Sequence, residues 1–142
     1  MHNAQCPSSI LFVCTMNAVR SPMAAALMRA ALGGGAKIDS AGVEADTVDP
    51  LAVEVMREIG IALCSHQPRR LADLKPGSYD LVVTLSREAQ QRMAGEGAAM
   101  EYWPVSDPTG VEGSREQRLA AYRAVRDELI KKLQTRFHMA VA

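Results

Sequence analysis

Neither sign of charge predominates in this chain: sixteen Lys and Arg stand against sixteen Asp and Glu, a formal net charge of zero. That balance argues against nucleic acid or an anionic membrane as an obligate partner, because both are recognised through a basic surface. Attraction of a charged ligand must then come from a local site. The chain also lacks an apolar run of membrane-spanning length and the short apolar core of a signal peptide, which predicts a cytoplasmic protein. Cysteine is scarce, Cys6, Cys14 and Cys64 being the complete set. Three thiols make neither the even count of a disulfide framework nor the spacing of a zinc site, so reduced cysteines and no metal are expected. Repeats, linkers and low-complexity tracts are missing too. A chain of 142 residues without them is expected to be one domain over 1–142, large enough to bury a core unaided, with residues 1–7 a frayed arm.

What is present alternates. Short apolar runs near Ser9 to Cys14, Ala36 to Ser40, Leu81 to Leu85 and Ala99 to Tyr102 read as strands. Helical patterns run from about Pro22 to Leu32, Pro50 to Ile59, Arg87 to Ala94 and Arg115 to Phe137. Asp49-Pro50 is a cap followed by proline at the first helical position, and Ser114 with Gln117 forms a capping box. Leu119, Tyr122, Val125, Leu129 and Leu133 recur at helical spacing and mark a core-facing stripe. The alternation predicts a single-domain α/β three-layer sandwich, a four-stranded parallel sheet with helices on both faces.

One segment carries chemistry. Ile10 to Val13 is an apolar strand, Cys14 follows it, and five residues later come Arg20, Ser21 and Pro22, the last two read as an N-cap with proline at the first helical position. A loop that empties onto a helix N-terminus offers unpaired N–H groups and the positive end of the dipole to an oxyanion. The same field, with Arg20 alongside, favours the thiolate of Cys14. Arg20 suits a tetrahedral oxyanion because its planar fork donates two parallel hydrogen bonds. In an open parallel sheet such a loop lies at the ligand-binding edge, and the loop of Asp107, after the fourth strand, can emerge there too. Taken singly, Cys14 also fits a small buried residue at a strand end, Arg20 a surface cation, and Asp107-Pro108 an ordinary turn.

The order strand, Cys14, five residues, Arg20-Ser21-Pro22, helix, with Asp107-Pro108 far downstream, resembles the low-molecular-weight protein tyrosine phosphatases from about Ser8 to Gln134. The resemblance implies that Cys14 is the nucleophile, that N–H groups from Thr15 through Met16, Asn17, Ala18 and Val19 to Arg20 hold the phosphoryl oxygens, and that Asp107 protonates the leaving oxygen. It implies that Ser21 donates to the sulfur, that Asn17, Ser40 and His66 hold the loop rigid, and that no cofactor is needed. A phosphorylated protein or small phosphate ester would be the substrate, and a monomer or weak homodimer the working form.

The departures are informative. Met16 stands where the family usually has glycine, implying a backbone conformation that methionine adopts at a cost, together with an apolar rim. Val19 replaces a second cysteine, so Cys14 has no adjacent thiol to protect it from over-oxidation. The segment from Asp46 to Val55 lacks a pocket-wall aromatic, and Thr109 stands where eukaryotic members carry tyrosine. In that shorter wall, with the run from Asp49 to Gly60, the chain is similar to the arsenate reductases of the same fold. Their intramolecular disulfide relay needs further cysteines, and none follows Cys64, which leaves a reductase using an external small thiol. A third reading is a regulatory module that binds phosphate without turnover because Met16 spoils the loop. Trp103 fits either core or pocket wall.

Overall fold

The structure, a computed structural model, describes residues 6–63 and 66–141. Four strands, β1 (Ser9–Cys14), β2 (Lys37–Gly42), β3 (Leu81–Thr84) and β4 (Met100–Tyr102), form one sheet in the order β2-β1-β3-β4, every pair parallel. Four α-helices accompany it: α1 (Arg20–Leu32), α2 (Pro50–Arg57), α3 (Arg87–Met93) and α4 (Arg115–Phe137). The two-residue period of β1 divides the core. Ile10, Phe12 and Cys14 face the layer holding Met23, Leu27, Tyr122 and Leu129 of α1 and α4, while Leu11 and Val13 face Ala89 and Met93 of α3. This is the three-layer α/β sandwich with helices on both faces that the alternation predicts. Among the described residues, no helix is long and apolar enough to cross a membrane. Residues 1–5 of the expected arm lie outside the described residues.

From β1 the chain first adds β2 on one side and then β3 and β4 on the other, so the order reverses at the carboxyl end of β1. Ligands of open parallel sheets bind at such a reversal. The loop after Cys14 starts there.

β3, β4 and α3 differ from the expected bounds by one residue and α2 stops at Arg57 instead of Ile59, while two differences bear on the site. α1 begins at Arg20, with Val19 at the N-cap and no side-chain cap, instead of at Pro22 with Ser21 capping. The first helical bond runs from Met23 N–H to Val19 C=O, so Pro22 falls in the first turn, where a missing N–H costs nothing. Ser21 is thereby inside the helix with its hydroxyl free for other work. β2 continues past Ser40 through Ala41 to Gly42, because Gly42 pairs in register with Cys14. By contrast, Asp49 caps α2 by accepting from Leu51 N–H, and Ser114 and Gln117 form the expected box at the start of α4.

Candidate active site

Cys14 ends β1, 2 % exposed, at the floor of a cavity of about 390 Å³. Its sulfur lies 2.9 Å from Ser21 Oγ and accepts from Ser21 N–H at 3.4 Å. Ser21 Oγ also accepts from Asn17 Nδ2 at 2.9 Å, and Ala41 C=O is 3.2 Å away. A hydroxyl has one proton, so Ser21 can give it to the sulfur or to Ala41. A thiolate at Cys14 takes that proton; a thiol instead donates to Ser21 and leaves Ala41 as the acceptor.

The loop between Cys14 and Arg20 has its outer side tied down. The carbonyls of Cys14, Thr15, Met16 and Ala18 accept from the N–H groups of Val43, Glu44, Asp46 and Asp49. In a trans peptide the N–H points opposite to the C=O of the same unit, so the N–H groups of Thr15, Met16, Asn17 and Val19 are turned to the concave side. Successive inward N–H groups make an anion nest. Gly42 permits this close docking: a Cβ there would lie 2.2 Å from Glu44 O, 2.6 Å from Asn17 N and 2.8 Å from the Met16 carbonyl carbon.

Within this loop Asn17 takes the left-handed conformation, with φ +53° and no exposure. Asparagine tolerates that conformation better than other side chains with a Cβ. Its amide donates to Ser21 and, at 3.0 Å, to Ser40 Oγ; its Oδ1 accepts from Arg69 N–H at 2.8 Å and lies 3.1 Å from His66 Nε2. Burial holds the His66 imidazole below its usual value; the Asn17 backbone contact works against this, and the charges of Arg29 and Arg69 reinforce it. Met16 is not in the positive-φ region, so the conformational cost expected from its replacement of glycine does not arise. Its side chain is 40 % exposed on the cavity wall.

Arg20 is buried to 8 % exposure and crosses to the far side of the cavity. Nη1 donates to Val105 C=O at 3.0 Å, while Nη2 lies 3.8 Å from Asp107 Oδ2 and 3.5 Å from Thr15 Oγ1. Asp107 is also a turn cap, its Oδ1 accepting from Thr109 N–H at 3.0 Å and Thr109 Oγ1 at 2.7 Å. Burial pushes its carboxyl up, but the Thr109 side-chain and backbone bonds and the Arg20 charge outweigh it, leaving it below the ordinary range.

Of the sequence-derived site residues, Cys14, Met16, Ala18, Val19, Arg20 and Asp107 line one cavity, Thr15 flanks Arg20, and Asn17, Ser21, Ser40 and His66 pack behind. The opposite wall is Asp46, Thr47, Val48, Asp49 and Pro50, with Thr109 beside Asp107 and no aromatic ring. Trp103 belongs to the core, its ring 6.2 Å from those of Phe12 and Phe137. Cys64 lies outside the described residues. Among the described residues, no group of three or more His, Cys, Asp or Glu is placed to hold a metal.

Sequence reasoning missed Gly42 as a docking point, the Val105 carbonyl that anchors Arg20, the Arg69 amide on Asn17, and the Ser86 and Glu88 side chains that reach Thr15 at 3.0 and 2.9 Å. Only Gly42 left a signal, a glycine closing a strand beside the loop.

Residues 9–142 match the family described as low molecular weight phosphotyrosine protein phosphatase. A Bacillus subtilis protein named arsenate reductase is 37 % identical over 128 residues, covering 88 % of this chain and 91 % of that one. The YwlE arginine phosphatase, in a mutant carrying a phosphorylated active-site serine, superposes with a TM-score of 0.73 at 31 % identity over 89 % of this chain and 91 % of that one. The tyrosine phosphatase Wzb of Escherichia coli K30, in complex with sulphate, gives 0.72 at 25 % identity over 92 % and 99 %. The strand-loop-helix carrying Cys14 and Arg20, the sheet order around it and these likenesses agree: the chain belongs to the low molecular weight phosphotyrosine protein phosphatase family.

Proposed function

We propose that the protein is a phosphate monoester hydrolase working through a cysteinyl-phosphate, with Cys14 as nucleophile, Arg20 as oxyanion clamp and Asp107 as general acid and base. The observation that carries this reading is the convergence on one cavity of a buried sulfur with two short contacts to Ser21, a guanidinium and a carboxylate facing that guanidinium. In the first step Cys14 sulfur attacks phosphorus in line, the bond from phosphorus to the leaving oxygen breaks, and Asp107 gives that oxygen its proton. In the second step Asp107 takes a proton from water, whose oxygen displaces the sulfur. Charge on the equatorial oxygens is met by Arg20 and the inward N–H groups, and Ser21 stabilises the departing thiolate. A bound phosphoryl dianion raises the Asp107 carboxyl, because it engages Arg20 and adds a like charge nearby.

The test is hydrolysis of para-nitrophenyl phosphate in chelator between pH 5 and 8. Cys14→Ser is expected to abolish turnover while phosphate still binds, and Asp107→Asn to lower kcat by about 10² to 10⁴. A folded wild-type protein that binds phosphate and hydrolyses nothing would sink the reading.

A second reading is arsenate reduction with an external small thiol. It is favoured by the relatives named arsenate reductase and by the aromatic-free wall. Two thiols would be oxidised to a disulfide as arsenate becomes arsenite, with Cys14 and Arg20 engaged as before. As the sulfur bonds to arsenic an arsenate hydroxyl leaves as water, and because that oxygen already carries a proton, unlike an ester oxygen, Asp107→Asn is expected to lower arsenate reduction much less than ester hydrolysis, which separates the two. The non-catalytic reading has less support, since Met16 is not in the left-handed region; turnover of para-nitrophenyl phosphate or of arsenate would exclude it.

A further inference from the structure

We propose that Glu88, on α3, is a positioning residue for Arg20 and acts through the Thr15 hydroxyl. The inference rests on the reading of Arg20 as the oxyanion clamp. Arg20 has one firm anchor, Nη1 on the Val105 carbonyl; its other terminal nitrogen meets Thr15 Oγ1 at 3.5 Å and Asp107 at 3.8 Å. A guanidinium held at one end swings about that end. Where Nη2 comes to rest is decided by which way the Thr15 lone pairs point, and that follows from where the single hydroxyl proton goes.

Two acceptors lie within reach of that proton, Ser86 Oγ at 3.0 Å and Glu88 Oε1 at 2.9 Å. The carboxylate wins, because a charged acceptor makes roughly twice the hydrogen bond that a neutral hydroxyl does. With the proton directed to Glu88, the lone pairs of Thr15 are presented to Arg20. Ser86 is engaged separately as the cap of α3, accepting from Ala89 N–H. Glu88 lies in the first turn of α3, where the helix N-terminus and the Thr15 hydroxyl hold its carboxyl below the ordinary range, so it stays charged as an acceptor for Thr15.

The test uses the whole protein with Glu88→Ala, Thr15→Val, Thr15→Ser and the Glu88→Ala/Thr15→Val double variant. Calorimetry measures binding of inorganic phosphate and of orthovanadate, whose five-coordinate adduct with the thiolate resembles the transition state, and kcat for para-nitrophenyl phosphate is followed in parallel. Glu88→Ala and Thr15→Val are each expected to weaken orthovanadate and lower kcat by about tenfold, with phosphate affinity changed by less than about threefold. The double variant is expected to be no worse than Thr15→Val alone, because the two side chains act in series, and Thr15→Ser to restore most of what Thr15→Val loses.

Orthovanadate affinity unchanged in Glu88→Ala would overturn the proposal. So would equal weakening of phosphate and orthovanadate, which marks a loosened loop, or additive losses in the double variant. Absence of turnover in the wild type would defeat the hydrolase reading while leaving the ratio of orthovanadate to phosphate affinity as the test of Glu88.

Discussion

The back and the front of the phosphate loop are built differently. Behind it, Asn17, Ser21 and Ser40 are buried and bonded to one another, and His66 and the Arg69 amide close the group around Asn17. Among the described residues, no buried side-chain nitrogen or oxygen lacks a partner. In front, Met16 is 40 % exposed, the Asp107 side chain is 52 % exposed, and the wall from Asp46 to Pro50 reaches the loop through two backbone bonds. Fully satisfied buried networks rigidify what they surround. The geometry that grips an oxyanion is therefore set by the interior, and the choice of what carries the oxyanion is left to a rim that can change without disturbing the grip. Replacements behind the loop are expected to cost stability and activity together, and replacements in front, the proposed general acid Asp107 apart, to alter substrate preference alone.

The comparison would break most sharply at Gly42. An added methyl would meet three backbone atoms at 2.8 Å or less, none of which can turn aside as a flexible side chain would. Gly42→Ala is expected to cost about 3 kcal/mol of stability and, by displacing the loop by a fraction of an ångström to an ångström, about 10²-fold in turnover. Denaturant melts and para-nitrophenyl phosphate kinetics on the same sample check both. A variant with wild-type stability and kcat would show that the loop does not depend on this contact.

Asn17 comes next. Asn17→Ala removes the two donors used by Ser21 and Ser40, strands the Arg69 N–H, and leaves an alanine at φ +53°. The expected loss is about 2 to 3 kcal/mol, from an unpaired buried group together with the left-handed backbone. Asn17→Gly, which relieves the backbone and leaves the hydrogen bonds missing, is expected to recover the smaller part. Complete recovery in Asn17→Gly would mean that conformation, and not the network, is what Asn17 supplies.

How much of this was legible beforehand depended on sequence distance. The bounds of β1 and α4 and the caps at Asp49 and Ser114 follow from local periodicity and from side chains reaching two or three residues along. The start of α1 escapes a local reading because Ser21-Pro22 has the form of a cap, whereas the Ser21 hydroxyl is drawn to Cys14 and Asn17. Cys14, Arg20 and Asp107, which line one cavity, stand out in the sequence through the spacing of one loop and a resemblance. Val105 on Arg20 and Glu88 on Thr15 lie 85 and 73 positions apart in the chain and follow no repeat, so only folding places them together.

His66 offers a milder and pH-dependent test of the back wall. Its folded-state value is depressed, chiefly by burial, so the unfolded chain takes up its proton at a higher pH than the folded chain does. The contribution of neutral His66 is complete above the ordinary imidazole value of about 6.5 and declines as the pH falls through the depressed one. Thermal melts between pH 8 and 5 are expected to show a smaller acid-side loss in His66→Gln than in the wild type. Parallel curves would mean that His66 titrates alike in both states.

The smallest effect is expected at Met16, where the two regions meet. Its backbone belongs to the loop, the carbonyl accepting from Asp46 N–H, and its side chain to the exposed rim. Met16→Ala keeps the carbonyl and removes an exposed stem, so stability is expected to stay within about 0.5 kcal/mol. Contact between that stem and an aryl group would bury a few tens of square ångströms, worth below about 1 kcal/mol, so KM for para-nitrophenyl phosphate is expected to rise by at most about fivefold with kcat nearly unchanged. A fall in kcat with KM held would place Met16 with the residues that shape the loop, and the division between a fixed back and a free front would have to be drawn one residue further out.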